Sequence, residues 1–367
     1  MGNPSDVFER ARAYFDSLRA PGEGPGRYRY CSSQTAPVIY ASTYAALTRH
    51  LCGKPPAGSE PAGGWLTQGD RRAWADYLLS HQREDGLFRQ PELANAIAEK
   101  EDWWGWRHLT VHALMALKAL GVTTPRRFQC LEPLLERGGA KRWLAGQDWA
   151  ERVAWTSNTV QNYGVMLQYA RDFQADKRAA EAMDDLLDEL DARQDAATGL
   201  WGARFDTPQW LSQGAQAAYH FLTLYFYDRR PVRRVERLID SFLATQNARG
   251  GFGVALNSSA CEDIDSMDPL ARLSRLTDYR SADIRAALGR AVDWVVSNQN
   301  PDGGFVFVRD RAFEYGHPLM RSGVNESASF PTWFRCLSLA YAAQALSPAE
   351  AASYRWLDCP GYQFWRG

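Results

Sequence analysis

The sequence predicts an all-α protein, an (α/α)6 toroid in which about six outer helices surround six inner ones. One observation is a turn from glutamine to glycine that recurs in LLSHQREDGLF, LDARQDAATGLWG, LATQNARGGFG and VSNQNPDGGF. Gln194, Gln246 and Gln299 are 52 and 53 residues apart. A period of roughly 50 residues is typical of solenoids and closed rings. The other observation is that two kinds of helical segment alternate between these turns.

One kind of segment is amphipathic and ends in the turn. In PVRRVERLIDSFLATQN the apolar residues recur at helical spacing with arginines opposite, which predicts an outer helix with one solvated face. The other kind follows the turn and is apolar on most sides. Six such inner helices are expected to begin near Pro37, Trp104, Ser157, Pro208, Glu262 and Phe330.

Asp6 to Leu18 has the pattern expected of the sixth outer helix. Each helical hairpin buries its apolar face only against its neighbours, so the ring is expected to close. The prediction is therefore one toroid domain over residues 1–367, with residues 90–102 and 309–331 as loops that flank the mouth of its cavity. These two loops are either lids that exclude water or ordinary connections.

Composition excludes several classes of protein. The net charge of −1 and the lack of long Lys/Arg runs argue against nucleic acid as a partner, which would need a basic face. No stretch reaches 18 apolar residues, so no transmembrane segment is expected. The six cysteines form no CxxC pair, which is typical of reduced thiols and predicts a cytoplasmic protein.

All inner helices of such a ring run parallel, so polar residues near their N-termini should meet at one mouth of the cavity. Arg321 and Glu326 of the second loop are expected to face the substrate there. The other residues expected to bind substrate are Trp103, Trp104, His108, His112, Asn158, Asn162, Gln213 and Trp333. His108 and His112 share a helix face, but no third ligand with recognisable spacing follows, so no metal site is predicted.

The densest acidic cluster opens the fifth inner helix. Glu262, Asp263, Asp265 and Asp268 lie within seven residues, which is more than helix capping requires. Crowding these carboxylates in a dry cavity would raise at least one pKa and so keep an acid neutral at pH 7. Aromatic residues make up 13% of the chain and could stabilise a cation formed beside them. The four acids are therefore the predicted catalytic residues.

The turn and the acids together resemble the QW-repeat toroids, which include squalene-hopene and class II terpene cyclases and the related β subunits of protein prenyltransferases. In class II cyclases a Q-x-x-x-G-G-W-G turn precedes a D-x-D-D motif on an inner helix. Here QNARGGFG ends at Gly253, and Asp263-Ile264-Asp265-Ser266 begins ten positions later, with serine in place of the last aspartate.

This resemblance implies a protonation-initiated cyclisation or isomerisation of a small hydrophobic isoprenoid, with Asp265 as the general acid. No cofactor is implied with certainty, and Mg²⁺ is expected only if the substrate carries a diphosphate. Two alternatives stay open. One is a carbohydrate-active (α/α)6 glycosidase or lyase with paired carboxylates, such as Glu326 facing Asp263. The other is a non-catalytic toroid that binds a ligand, in which the acids would have ordinary pKa values.

Overall fold

The computed structural model describes residues 4–52, 66–100 and 103–366. Residues 1–3, 53–65, 101, 102 and 367 lie outside the described residues, and with them parts of the predicted domain and of the predicted 90–102 loop. The described α-helices are α1 (Pro4–Ser17), α2 (Ile39–Leu51), α3 (Gln68–Leu79), α4 (Ala96–Lys100), α5 (Trp106–Ala119), α6 (Glu132–Leu135), α7 (Gly139–Ala145), α8 (Val153–Phe173), α9 (Arg178–Arg193), α10 (Pro208–Asp228), α11 (Val235–Ala244), α12 (Ala260–Leu273), α13 (Ser281–Ser297), α14 (Ser329–Leu346) and α15 (Pro348–Ala351).

Six of these helices form a closed inner ring. They are α2, α5, α8, α10, α12 and α14; each packs against the next, and α14 packs back against α2. Their first residues lie within four positions of the predicted starts. The inner helices are buried on most sides, and in α14 this follows from a sequence that is apolar around most of the helix. The predicted all-α toroid is confirmed.

The outer layer consists of α1, α3, the short pair α6 and α7, and then α9, α11 and α13. Helix α1 is the outer helix predicted from Asp6 to Leu18, and it packs against both α14 and α2. Helices α11 and α13 pack against α12, while α9 packs against α8. Helix α9 buries Met183, Leu186, Leu187 and Leu190 in one stripe, as expected of an outer helix.

The glutamines of the last two turns each join their turn to the outer helix that follows around the ring. Gln246 Nε2 donates to the carbonyl of Gly250 at 2.8 Å and to that of Ala287 on α13 at 2.8 Å. Gln299 Nε2 donates at 2.9 Å to Gly303 and at 2.9 Å to Val7 of α1. The last turn therefore bonds the first outer helix, which closes the outer layer.

The turn requires glycine because the backbone of the next outer helix lies against it. Gly250 has φ +93°, and a Cβ there would lie 2.7 Å from the carbonyl oxygen of Arg290 on α13. A positive φ of this size is strained for any residue with a Cβ. The recurring glycine is thus explained by conformation and by close approach together.

Residues 359–366 cross the ring at the C-terminal ends of the inner helices. The indole of Trp333 on α14 donates to Gln363 Oε1 at 2.8 Å. Arg272 on α12 donates to the carbonyl of Phe364 at 2.6 Å. The crossing segment also bonds α5, α2 and α10, so this end of the ring is closed.

A two-stranded hairpin lies at the opposite end. Strand β1 (Phe313–Glu314) pairs antiparallel with β2 (Arg321–Ser322), with a 3₁₀ turn at Pro318–Met320 between them. Asn95 donates to the carbonyl of Gly316 in the hairpin at 2.8 Å, so the two segments predicted to flank the mouth contact each other. Two further 3₁₀ turns occur at Pro91–Leu93 and Gln129–Leu131.

Among the described helices, none has both the length and the apolar character needed to cross a membrane.

Candidate active site

A cavity of about 350 Å³ lies inside the ring of inner helices, under the hairpin. Its aromatic wall consists of Trp103, Trp155, Phe307, Phe313, Tyr315, Phe334 and Tyr362. The remaining lining residues are His108, Ala154, Asn158, Gln216, His220, Ser259, Cys261, Glu262, Asp265 and Glu314. The cavity therefore combines an aromatic wall with polar side chains from the inner helices and the hairpin.

Asp265 lies on the second turn of α12, on the cavity wall, and is 3% exposed. No described residue forms a hydrogen bond or an ion pair with its carboxyl group. Burial raises the pKa of this carboxyl well above its ordinary value, and the negative charges of Glu262, Asp263 and Asp268 raise it further. These surroundings favour a neutral carboxylic acid that faces aromatic rings.

Asp263 is fully buried but does not line the cavity. Its carboxylate accepts hydrogen bonds from the backbone of Phe252 (3.0 Å), the Ser258 hydroxyl (2.7 Å) and the Trp294 indole (3.0 Å). It also forms a fully buried ion pair with Arg335 of α14 at 2.8 Å. Its surroundings are those of a structural group that joins the glycine turn, α13 and α14, and not those of an acid facing a substrate.

Glu262 lines the cavity and caps α12. Its Oε2 accepts from the backbone N–H and the hydroxyl of Ser259, each at 2.8 Å, in a capping box. Burial raises the pKa of Glu262, although the bonds from Ser259 oppose that shift.

Asp268 lies deeper, away from the cavity, where it pairs with Arg272 at 2.5 Å. Burial raises the pKa of Asp268 to about 6, and the charge of Arg272 offsets part of this effect.

The two predicted histidines are separated by one helical turn and only the first reaches the cavity. His108 is held between two phenols, with Nδ1 at 2.9 Å from the Tyr40 oxygen and Nε2 at 3.2 Å from that of Tyr315. Burial lowers the pKa of His108 well below its ordinary value. His112 lies below the cavity, where its Nδ1 contacts the carbonyl of His108 at 2.8 Å and burial lowers its pKa to about 4.

Three more of the expected substrate-binding residues are buried away from the cavity, although Trp103 and Asn158 line it. Trp104 lies between Tyr40 and His317, with ring centroids 5.6 and 6.4 Å away. Asn162 is one turn beyond Asn158 on α8, and Trp333 bonds the segment that closes the far end. The depth of the cavity differs between helices. Its lining ends at His108 on α5 and at Asn158 on α8, whereas on α10 it reaches His220. Residues beyond His108 and Asn158 on their helices are therefore part of the core.

Gln213, Arg321 and Glu326 also lie outside the cavity. Gln213 precedes the lining residue Gln216 by three positions, and the Arg321 side chain is exposed on β2. Glu326 accepts from the Ser32 hydroxyl at 2.8 Å and from the backbone N–H and hydroxyl of Ser33, in the segment before α2, and also from the backbone N–H of Gly323. Burial alone would raise the pKa of Glu326, but these bonds outweigh it and lower the pKa. The expected pairing of Glu326 with Asp263 is therefore not present.

Several lining residues were not predicted. Phe313 and Tyr315 come from the hairpin, whose alternation of aromatic residues in RAFEYGH could have indicated a strand with one face towards the cavity. Tyr362 has no such signal, because its position depends on how residues 359–366 cross the ring. His220 and Cys261 lie at helical spacing from Gln216 and Asp265, which follows only once the cavity-facing side of each helix is known.

In the described part of the chain, no three His, Cys, Asp or Glu side chains are grouped so that they could hold a metal ion.

Solved structures with the same architecture include terpene cyclases. A variant of the type II terpene cyclase MstE from Scytonema, in complex with its product merosterolic acid A, has 16% identity and a TM-score of 0.50, over 94% of this chain and 98% of that one. The ent-copalyl diphosphate synthase from Streptomyces platensis has 16% identity and a TM-score of 0.46, over 85% of this chain. The match spans about half, 51%, of the synthase chain. A polysaccharide lyase has 12% identity and a TM-score of 0.47, over 93% and 96% of the two chains.

No protein-family profile matches the sequence, and comparison with curated proteins finds no significant match. At these identities the similarity concerns the fold. The chain has the α/α-toroid fold of the class II terpene cyclases, as its resemblance to them predicts.

Proposed function

We propose that this protein is a terpene-cyclase-like enzyme that starts the cyclisation or isomerisation of an isoprenoid by protonating a carbon–carbon double bond. The observation that carries the proposal is the Asp265 carboxyl, which is buried, has a raised pKa and faces an aromatic cavity. In the first step the O–H bond of Asp265 breaks and its proton forms a C–H bond with the π electrons of the alkene. A carboxylate and a carbocation result.

The aromatic wall supports the second part of this step, which is survival of the cation. Trp103, Phe307, Tyr315 and Phe334 line the same cavity as Asp265. A cation over an aromatic face gains about 0.5 to 2 kcal/mol, with the larger values where water is excluded. The hairpin over the mouth limits access of water, which would otherwise capture the cation.

The other acids have different roles in this proposal. Glu262 holds the N-terminus of α12 in place and, through its negative charge, raises the pKa of Asp265. Asp263 fixes α12 through its buried ion pair with Arg335 of α14. Asp268 pairs with Arg272 on the same helix, and Arg272 donates to the carbonyl of Phe364 in the segment that crosses the ring. Mg²⁺ would be required only if the substrate carries a diphosphate, and no step described here passes through a metal.

Two observations support this function over the alternatives. The carboxylate pair suggested for a glycosidase or lyase, Glu326 and Asp263, does not line the cavity, and the carboxyl groups that do are Glu262, Asp265 and Glu314. A ring that only binds a ligand predicts ordinary pKa values for the acids, whereas the pKa of Asp265 is raised. The cysteines of the described residues form no disulfide bonds, which supports a cytoplasmic location.

The test is product analysis by mass spectrometry after incubation with geranylgeraniol, squalene and geranylgeranyl diphosphate, with and without Mg²⁺. Wild type, Asp265→Asn and a control, Asp184→Asn on the exposed face of α9, are compared. We expect a cyclised or isomerised product from wild type and the control, and loss of roughly a thousandfold or more in Asp265→Asn. Equal product from Asp265→Asn, or no turnover by a folded wild type, would refute the proposal.

A further inference from the structure

His220 lies on the wall of the same cavity as Asp265, on the neighbouring inner helix. It belongs to α10, which packs against α12, and its side chain is buried. Burial lowers the pKa of His220 to about 3, so the imidazole is neutral at pH 7. The cavity thus brings together a carboxyl group that is favoured as the acid and an imidazole that is favoured as the free base.

The hydrogen bonds of Ser157 determine which ring nitrogen of His220 carries the proton. The Ser157 oxygen lies 2.8 Å from the carbonyl oxygen of Ala154, which can only accept, and 2.9 Å from His220 Nδ1. A hydroxyl has one proton to donate. Both contacts are satisfied only if that proton goes to Ala154 and Nδ1–H donates to Ser157. The lone pair is then on Nε2.

The free Nε2 distinguishes His220 from the other histidine on the cavity wall. Tyr40 donates its proton to the carbonyl of Gly105 at 3.0 Å, so His108 Nδ1–H donates to Tyr40. The lone pair on His108 Nε2 then accepts from the Tyr315 hydroxyl. No described residue donates to Nε2 of His220. Because Nδ1 faces Ser157, the ring edge that carries Nε2 is the one left for the cavity.

We propose that Nε2 of His220 is the base that ends the reaction by removing a proton from the carbocation, with Ser157 as the residue that positions it. This inference rests on the proposed function. In the step, a C–H bond next to the cationic carbon breaks, its electron pair forms a C=C bond, and the proton binds Nε2. The imidazolium then loses this proton and Asp265 regains one, so the net reaction is an isomerisation. The product is an alkene and not an alcohol.

The first test measures the tautomer and needs no substrate. In wild type labelled with ¹⁵N-histidine, with the His220 signals assigned from His220→Gln, we expect at pH 7 a protonated Nδ1 and an unprotonated Nε2. Ser157→Ala should release the ring into a mixture of both tautomers. A proton on Nε2, or an imidazolium at pH 7, would overturn the assignment.

The second test measures the products formed from geranylgeraniol, squalene and geranylgeranyl diphosphate. His220→Phe keeps a planar ring but has no base, and its folding is checked by thermal denaturation, with His220→Gln as a second variant. Both should form the wild-type alkene about a hundredfold more slowly and divert substrate to alcohols or other double-bond isomers. An unchanged alkene product at an unchanged rate would overturn the inference.

The two tests separate this inference from the proposed function. If wild type converts none of the three compounds, the proposed function fails, and the tautomer measurement still decides whether His220 presents a free base to the cavity. If Asp265→Asn abolishes conversion while the His220 variants keep the wild-type alkene, the proposed function stands and His220 is not the base.

Discussion

Asp263 and Asp265 are two positions apart on α12 and have opposite surroundings. The Asp263 carboxylate accepts four hydrogen bonds, one of them from Arg335, whereas that of Asp265 receives none from the described residues. Two positions on an α-helix are about 200° apart, so the two side chains leave the helix on different sides. One acid therefore holds α12 against its neighbours while the other faces the cavity.

Replacing Asp263 should affect stability before it affects chemistry. In Asp263→Asn the guanidinium of Arg335 stays fully buried without a counter-charge. Removing one partner of a buried ion pair costs about 3–5 kcal/mol of stability. We expect a loss of that size in the free energy of unfolding by urea. Asp265→Asn is the matched control and should lose less than about 1 kcal/mol, because no bond to its carboxyl is broken; equal losses would contradict this division of roles.

The raised pKa values of Asp265 and Asp268 predict that stability falls as the pH rises. Both values lie above the unfolded value of about 3.9, so the folded protein holds protons that the unfolded chain releases. The stabilisation of the folded protein by these two protonated carboxyl groups is complete below pH ~4. It is lost as the pH rises through the pKa of each group in the folded protein, which for Asp268 is about 6.

Asp265→Asn removes one of these two contributions. The free energy of unfolding of the variant minus that of wild type should therefore increase from pH 5 to pH 8. The expected increase is about 1.4 kcal/mol for each unit of the Asp265 pKa shift that falls in this range. Urea denaturation at the two pH values measures the difference. A variant with the same pH dependence as wild type would mean that the Asp265 carboxyl is ionised in the folded protein.

The requirement for glycine in the turn can be tested by replacing Gly250, with Gly289 on α13 as the control. Gly250→Ala places a Cβ 2.7 Å from the Arg290 carbonyl at a positive φ, and we expect a loss of more than about 1 kcal/mol in unfolding free energy. A Cβ at Gly289 meets nothing within 4 Å, so Gly289→Ala should be stabilising by about 0.5–1 kcal/mol. Two changes of the same sign would contradict this explanation of the repeat.

Residues 359–366, which close one end of the ring, can be tested through Tyr362. Its side chain lines the cavity and packs on His112, with 5.2 Å between the ring centroids. Tyr362→Ala removes this buried ring and should lower the free energy of unfolding by about 3–5 kcal/mol. Tyr362→Phe keeps the ring and should retain most of the stability, measured by the same denaturation. If both variants were equally stable, the segment would not be part of the core.

The fold followed from the sequence because repetition and helical periodicity are local signals. Four of the six inner helices, α5, α10, α12 and α14, could be located from the turn before them, and the position of Asp265 on α12 then followed from its distance to Gly253. Depth along an inner helix is not a local property. His112 was expected beside His108, but the cavity ends above it because the ring of Tyr362, far away in the sequence, packs against His112. Asn162 was expected beside Asn158, and it too does not line the cavity.

The ionisation of Asp265, the proposed neutral acid of the cavity, can be measured directly. In protein labelled with ¹³C at the aspartate carboxyl carbons, the Asp265 signal is assigned from its loss in Asp265→Asn and followed from pH 4 to pH 9. We predict the chemical shift of a protonated carboxylic acid at pH 7. An Asp265 signal that titrates near about pH 4, the ordinary value for aspartate, would contradict the account.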